Sequence, residues 1–167
     1  MAIKHNKTLV AVNSSEQSRL TLHGSLATEY NKILVAVDGS EQSRFAAHEA
    51  IAIAKRNKAE LTIVTSIDLS AISHEPLMVR GISNALTIEA KGMLKDFTKI
   101  EAKTPIDKRV LIGVAKHEII NHAKEQEIDL IVMGATGKGA VEKVFIGSTT
   151  DYVLTHAPCS FLAVRSL

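Results

Sequence analysis

Residues Ile128 to Asp151 read IDLIVMGATGKGAVEKVFIGSTTD, and they hold a strand, a loop and a helix start in immediate succession. Leu130–Met133 is a short apolar run between Asp129 and Gly134, the pattern of a strand buried on both faces of a parallel sheet. A glycine-spaced loop follows, with Gly134, Gly137 and Gly139, and Gly147-Ser148-Thr149-Thr150 then leads into a last short helical segment. That order makes an anion site. Glycines let the backbone approach a ligand closely, and the first N–H groups of a helix have no acceptor within it.

Two familiar phosphate loops do not fit. A P-loop requires Gly-x4-Gly-Lys-Ser/Thr, and Gly134 and Gly139 have the spacing, but Ala140 and Val141 follow. The dinucleotide fingerprint Gly-x-Gly-x-x-Gly starts at Gly137-Lys138-Gly139 and fails at Glu142. The pattern met is Gly-x2-Gly-x9-Gly-Ser/Thr, at Gly134, Gly137, Gly147 and Ser148. It resembles the nucleotide-binding motif of the universal stress protein family, in its ATP-binding branch. The resemblance runs from about Lys32 to Arg165, because the family's Val-Asp-Gly-Ser start and Pro-x-x-x-Leu-x-Val end are matched at Val37–Ser40 and Pro158–Val164.

Working outward, the sequence contains a repeat. Asn6-Lys-Thr-Leu-Val-Ala-Val-Asn-Ser-Ser-Glu-Gln-Ser-Arg19 recurs 25 residues later as Asn31-Lys-Ile-Leu-Val-Ala-Val-Asp-Gly-Ser-Glu-Gln-Ser-Arg44, identical at eleven of fourteen positions. Solenoids need at least about three stacked units, so this is a local duplication of one strand and its loop. The second copy is the better first central strand. Its Asp38-Gly39 suits a tight turn better than Asn13-Ser14, and Ala46, Ala47, Ala50, Ile51 and Ala54 form one helical stripe behind it. Ser40, or alternatively Ser43, is the expected N-cap of that helix. Residues 1–30 therefore read as an N-terminal extension and residues 31–167 as the domain proper. Within the extension, Thr8–Val12 is expected as an added edge strand or a strand pairing with another subunit, against a flexible tail.

From Lys32 onward, strands and helices alternate. Ile33–Val37 is a strand, with a helix ending near Asn57; Leu61–Ile67 is the second strand; Asp68–Arg80 reads as a long loop containing Pro76. A long helix follows on the stripe Leu86, Ala90, Met93, Leu94, Phe97 and Ile100. Ile106–Ile112 is the third strand with its turn at Gly113, and a helix covers Lys116–Glu127. Leu130–Met133, a helix from Ser148 to about Thr155, and Ser160–Arg165 complete the set. The expected fold is α/β: a five-stranded parallel sheet in the flavodoxin-like order 3-2-1-4-5, helices on both faces, plus the duplicated segment. This order sets strand one beside strand four and brings Asp38 next to Gly134 at the topological switch point.

The resemblance implies ATP as ligand. Gly137, Gly147, Ser148 and Thr149 are the expected phosphate contacts, through backbone N–H groups and hydroxyls. Lys138 reads as a solvated lysine on the same loop. A triphosphate implies a divalent cation, Mg²⁺ or Mn²⁺, and Asp38 is the carboxylate placed to hold ribose hydroxyls or reach that metal, or else to cap the first helix. By resemblance the adenine slot is lined by Ala36 and Val37, by the end of strand two, and by Met133 and Gly134. Its strand-two position falls on Ser66, where the family usually has an aliphatic residue.

Composition narrows the alternatives. The chain has 167 residues, 46% hydrophobic and 23% charged, with a net charge of +2. That fits one globular domain, and no basic stripe with interleaved aromatics points to nucleic acid. The apolar runs are too short for a membrane span or a secretory signal, and a lone Cys159 suits a reducing compartment, so the expected location is cytoplasmic. Cys159 reads as a small hydrophobe in the last strand. Among seven histidines, His117 and His122 do not share a helix face, His74-Glu75 lacks the rest of a zinc motif, and His48 reads as half-buried. Ser148 sits in no nucleophile elbow, and no general base stands out. The resemblance to the universal stress protein family implies a nucleotide-dependent regulator of the stress response with little or no hydrolysis, and a homodimer through the C-terminal strand Ser160–Arg165, an edge physically suited to pairing. The alternatives are a slow ATPase or adenylyl-transferring enzyme on this fold, and a partner-binding stress protein with a vestigial site.

Overall fold

The computed structural model describes residues 7–10, 29–70, 76–98, 105–137 and 146–166. In chain order the elements are β1 (Lys7–Val10), β2 (Lys32–Ala36), α1 (Glu41–Asn57), β3 (Glu60–Ile67), α2 (Pro76–Thr98), β4 (Ile106–Ile112), α3 (Ala115–Glu125), β5 (Leu130–Gly134), α4 (Ser148–His156) and β6 (Ser160–Ser166). They build one sheet in the order β1-β6-β5-β2-β3-β4. The five strands from β2 onward are all parallel, in the expected 3-2-1-4-5 order when counted from β4. The duplicated segment adds β1 at one edge, antiparallel to β6 with Lys7 opposite Ser166 and Val10 opposite Ala163. This is the expected edge strand over residues 8–10; residues 11 and 12 lie outside the described part. The β6 edge, expected to carry a homodimer, is thus paired with β1 in this chain.

Side-chain alternation along the strands feeds two cores. Ile33, Val35, Leu61, Ile63, Val132 and Leu162 face α1 and α2, where Ala46, Ala47, Ala50, Leu94 and Phe97 meet them. Leu34, Ala36, Val64, Ile131, Met133 and Phe161 face the opposite layer, against Ile119, Ile120, Ala123 and Val153. Strands buried on both faces must be apolar almost throughout, which is why β5 carries no polar side chain. The duplicate could not take the place of β2 without loss. Ile33 is fully buried, and its counterpart Thr8 would set a hydroxyl into that core. Gly39 has φ +82°, a conformation that Ser14 would hold under strain.

Local chemistry sets the helix ends. Ser40 caps α1, its Oγ accepting from the Ser43 N–H at 3.2 Å, while the Ser43 hydroxyl donates back to the Ser40 carbonyl at 2.8 Å. Lys58, at φ +56°, closes the same helix by donating its N–H to the Ala54 carbonyl. Pro76 opens α2 and does not sit in a loop: a first-turn proline lacks an N–H that would be unbonded anyway. Asp68–Arg80 is therefore shorter as a connection than the sequence implied, and residues 71–75 lie outside the described part. Ala90, Leu94 and Phe97 are buried as expected, and Ile100 is also outside. α3 ends at Glu125, two residues before the expected Glu127, which takes a left-handed φ of +53°. His48 is exposed, not half-buried, because it points away from the alanine stripe of α1.

Where the extension meets the domain, the chain is pinned on several sides. The N–H groups of Asn31 and Lys32 both donate to Asp129 Oδ2 at 2.8 Å, and the Asp129 N–H returns to the Lys32 carbonyl at 2.9 Å. The Tyr30 N–H donates to Asn57 Oδ1 at 3.1 Å, and the Glu60 N–H donates to the Asn31 carbonyl at 2.8 Å.

Cys159 lies one residue ahead of β6 and is buried against the second core, not within the strand itself. Burial, with the Asp129 carboxylate as a smaller contribution, pushes its thiol up to about 12. A thiol so shielded is almost never thiolate near neutral pH. The native protein is expected to leave Cys159 unmodified by a thiol-specific chromogenic disulfide that titrates one equivalent after denaturation. Full reaction of the native chain within minutes would contradict this packing.

Candidate functional site

The carboxyl ends of β2, β3 and β5 and the starts of α1, α3 and α4 converge on one cavity of about 640 Å³. Ligands of open α/β sheets collect at this end, because the crossovers part where the strand order reverses. All ten residues singled out from the sequence line it: Ala36, Val37, Asp38, Ser66, Met133, Gly134, Gly137, Gly147, Ser148 and Thr149. Lys138 lies outside the described residues, as do His74 and Glu75.

The inner part is apolar. Ala36, Val64, Met133 and Ile119 belong to the second core and close the cavity from behind. Ser66 lies on that same face of β3, two residues after Val64, so a hydroxyl stands where an aliphatic group would extend the apolar surface. Polar groups line it as well: Asp38, Thr136, Ser148 and Thr149, together with the buried Thr65.

Two glycines permit this arrangement by close approach. A Cβ at Gly134 would lie 2.8 Å from the carbonyl carbon of Gln42 and 3.0 Å from the Ser43 nitrogen, so β5 touches the backbone of α1 there. A Cβ at Gly137 would lie 2.6 Å from Asp38 Oδ2. The carboxylate after β2 is therefore packed against the backbone of the glycine loop. Asp38 Oδ1 accepts from the Ser40 N–H at 3.0 Å, so Asp38 also shapes the turn into α1. Oδ1 of this carboxylate serves the turn, and Oδ2 is the oxygen that lies against the glycine loop.

Gly147 begins α4 with φ −72° and ψ 151° and no side-chain cap. Its N–H donates to the Ala135 carbonyl at 2.8 Å, and the Ala135 N–H donates to the Val164 carbonyl at 2.8 Å, so the loop is tied at its base to β6. The Thr150 hydroxyl donates to the Gly134 carbonyl at 2.9 Å and is consumed by that bond. The N–H groups of Ser148 and Thr149 belong to the first turn, where no acceptor exists within the helix. With the starts of α1 and α3 nearby, three positive helix ends border one cavity, a setting that favours an anion.

Ser43, Ala115, Ile119, Thr136 and Thr150 line the cavity but did not emerge from the sequence, and Val64 and Thr65 were covered only as part of the end of strand two. Period-two alternation from Ala36 across to β3 would have found Val64. The stripe Ala115, Ile119, Ala123 on α3 would have indicated the facing wall. Among the described residues, no group of three or more His, Cys, Asp or Glu side chains forms a metal cage, and no helix is long and apolar enough to cross a membrane. A cation here would need ligand oxygens in addition to Asp38.

Comparison with known proteins agrees with this geometry. The chain is 34% identical over 121 residues to a putative universal stress protein of Staphylococcus haemolyticus, covering 70% of this chain and 73% of that one. It is 36% identical over 120 residues to a universal stress protein of Methanocaldococcus jannaschii, covering 70% and 71%. The solved structure of the universal stress protein UspA from Lactobacillus plantarum superposes with a TM-score of 0.75 at 36% identity, over 83% of this chain and all of that one. The sequence model of the universal stress protein family matches residues 29–165, which span every parallel strand and every wall of the cavity. The chain is a member of the universal stress protein family.

Proposed function

We propose that this protein binds ATP with a divalent cation in the cavity between β2 and β5, and that it acts in the cytoplasm as a nucleotide-dependent regulator of the stress response. The observation that carries this reading is the contact of Asp38 with the backbone of Gly137 at the mouth of a cavity bordered by the start of α4. A volume of about 640 Å³ suits a small-molecule ligand, with an apolar interior and a few convergent polar groups. The base fits the apolar part beside Ala36, Val64 and Met133. The phosphates fit the N–H groups and hydroxyls of Ser148 and Thr149 and the backbone of Gly137. Bound Mg²⁺ or Mn²⁺ would neutralise phosphate charge, and Asp38 is the lining carboxylate that would hold it.

Calorimetric titration of the full chain with ATP and Mg²⁺, beside the double variant Gly137→Val, Ser148→Ala, tests the reading. Wild type is expected to bind with a dissociation constant on the order of micromolar, about 8 kcal/mol of binding free energy, and the variant to show no heat of binding. A folded wild type that takes up no nucleotide would overturn it.

A further inference from the structure

Where α3 lies against α4, three side chains gather on one phenol. Tyr152, in the second turn of α4, stacks against His156 with ring centroids 4.1 Å apart and planes at 15°, and meets His117 edge-on at 5.2 Å. The His156 ring is itself held, its Nδ1 lying 2.8 Å from the Tyr152 carbonyl oxygen. Over the same phenol stands Lys116, its Nζ 4.8 Å from the ring centroid. A surface lysine ordinarily carries its ammonium out into water. This one is half-buried and reaches across the seam between two helices.

That hold leaves the ammonium chemically unspent. It carries three N–H donors, and an aromatic face attracts the charge without offering lone pairs to satisfy them. Among the described residues, no carboxylate forms an ion pair with Lys116. A phosphate oxygen supplies both the opposite charge and the acceptor, and is the stronger partner of the two.

The place of the pair in the fold says which phosphate. Lys116 follows Ala115, and Tyr152 comes one turn after Ser148; Ala115 and Ser148 both line the cavity. Helical side chains lean toward the N-terminus of their own helix, so the Tyr152 ring lies over the turn that begins at Ser148. The stem of Lys116 leans toward the cavity for the same reason, because α3 also starts there. One helical turn, about 5.4 Å, separates the ring from the helix start, a step within the swing of a four-carbon stem.

We propose that Lys116 is a stowed phosphate ligand: it rests on Tyr152 in this structure and crosses to the terminal phosphate of a nucleoside triphosphate held at the start of α4. This rests on the nucleotide reading above and adds to it a discrimination by phosphate number. A triphosphate extends far enough to draw Lys116 from the ring, and a monophosphate does not. Tyr152 thereby registers which nucleotide is bound, since only the triphosphate takes its lysine away.

Calorimetry on the full chain, with ATP and AMP each in the presence of Mg²⁺, tests this. Lys116→Met keeps the stem and removes the charge; it is expected to weaken ATP about tenfold and to leave AMP unchanged, while Lys116→Arg restores most of the ATP affinity. Fluorescence gives a second reading, because the chain has no tryptophan and two tyrosines, Tyr30 and Tyr152. In a Tyr30→Phe background, saturating ATP is expected to change Tyr152 emission, and saturating AMP at equal absorbance to leave it unchanged. A Lys116→Met protein that binds ATP as wild type does, or that loses ATP and AMP equally, overturns the proposal while the nucleotide reading stands. Tyr152 emission indifferent to ATP does the same. A wild type that binds neither nucleotide overturns both.

Discussion

Gly134→Val is expected to destabilise the fold by at least about 3 kcal/mol, the upper range for forcing atoms into a packed interior. The added Cβ meets the carbonyl carbon of Gln42 at 2.8 Å and the Ser43 nitrogen at 3.0 Å. Both are backbone atoms of a helix whose buried alanines already hold it against the sheet, so neither can swing aside. β5 and α1 must separate, and both lie in the same core. A domain of this size loses roughly 2–4 °C per kcal/mol, so the melting midpoint should fall by about 6 °C or more. Thermal unfolding followed by circular dichroism measures this; a melting point within about 2 °C of wild type would mean that β5 and α1 are less tightly opposed.

Gly137→Val should act on binding and spare the fold. Its Cβ would lie 2.6 Å from Asp38 Oδ2 and 3.7 Å from Asp38 Cγ, so a side-chain carboxylate, and no backbone atom, has to shift. That shift removes the carboxylate from the mouth of the cavity, and the valine methyls take up space where phosphate would approach. The expected result is an ATP affinity lowered at least about 100-fold, roughly 2.7 kcal/mol, with a melting point close to wild type. Gly147→Ala is the instructive companion. Its Cβ would find the Ala135 carbonyl oxygen at 3.6 Å, an ordinary contact, so the fold should accept it. Any affinity lost there, read by the same titration, comes from the approach of ligand to the helix start alone. If Gly137→Val binds ATP as wild type does, the contact between Asp38 and the glycine loop is not part of a nucleotide site.

Much of this was legible in the sequence because parallel strands and amphipathic helices leave different periods. β5 reads as Leu-Ile-Val-Met between an acid and a glycine, and α1 shows its alanine stripe directly. The cavity's near wall was legible because strand order places the Asp38 loop beside the Gly134 loop. The far wall was not. Ala115 and Ile119 carry no polar signal, and the apolar stripe they form with Ala123 marks a packed face of α3 without saying that a cavity lies against its start. Pro76 misled because the same residue breaks a helix from inside and opens one from its first turn. The partner of β1 was equally hidden: Lys-Thr-Leu-Val reads the same whether it pairs parallel in the middle of a sheet or antiparallel at its margin. What separates the copies is Thr8 against Ile33 and Ser14 against Gly39, two differences that decide which one tolerates the core and the turn.

The bonds around Asn31 and Lys32 give the molecule a mechanical fuse. A pull on the N-terminus loads the β1–β6 ladder first, and such a ladder opens one hydrogen-bonded pair at a time when force acts across it. Beyond it, the load reaches Asp129 Oδ2, which holds two successive backbone N–H groups, and the Asn57 side chain, which holds a third at Tyr30. This anchorage sits at the end of β2 remote from Asp38, so tension is grounded there before it can shift the strand that carries the site. Asp129 and Asn57 thus hold the entry of the chain into the domain at the end of the sheet opposite the cavity.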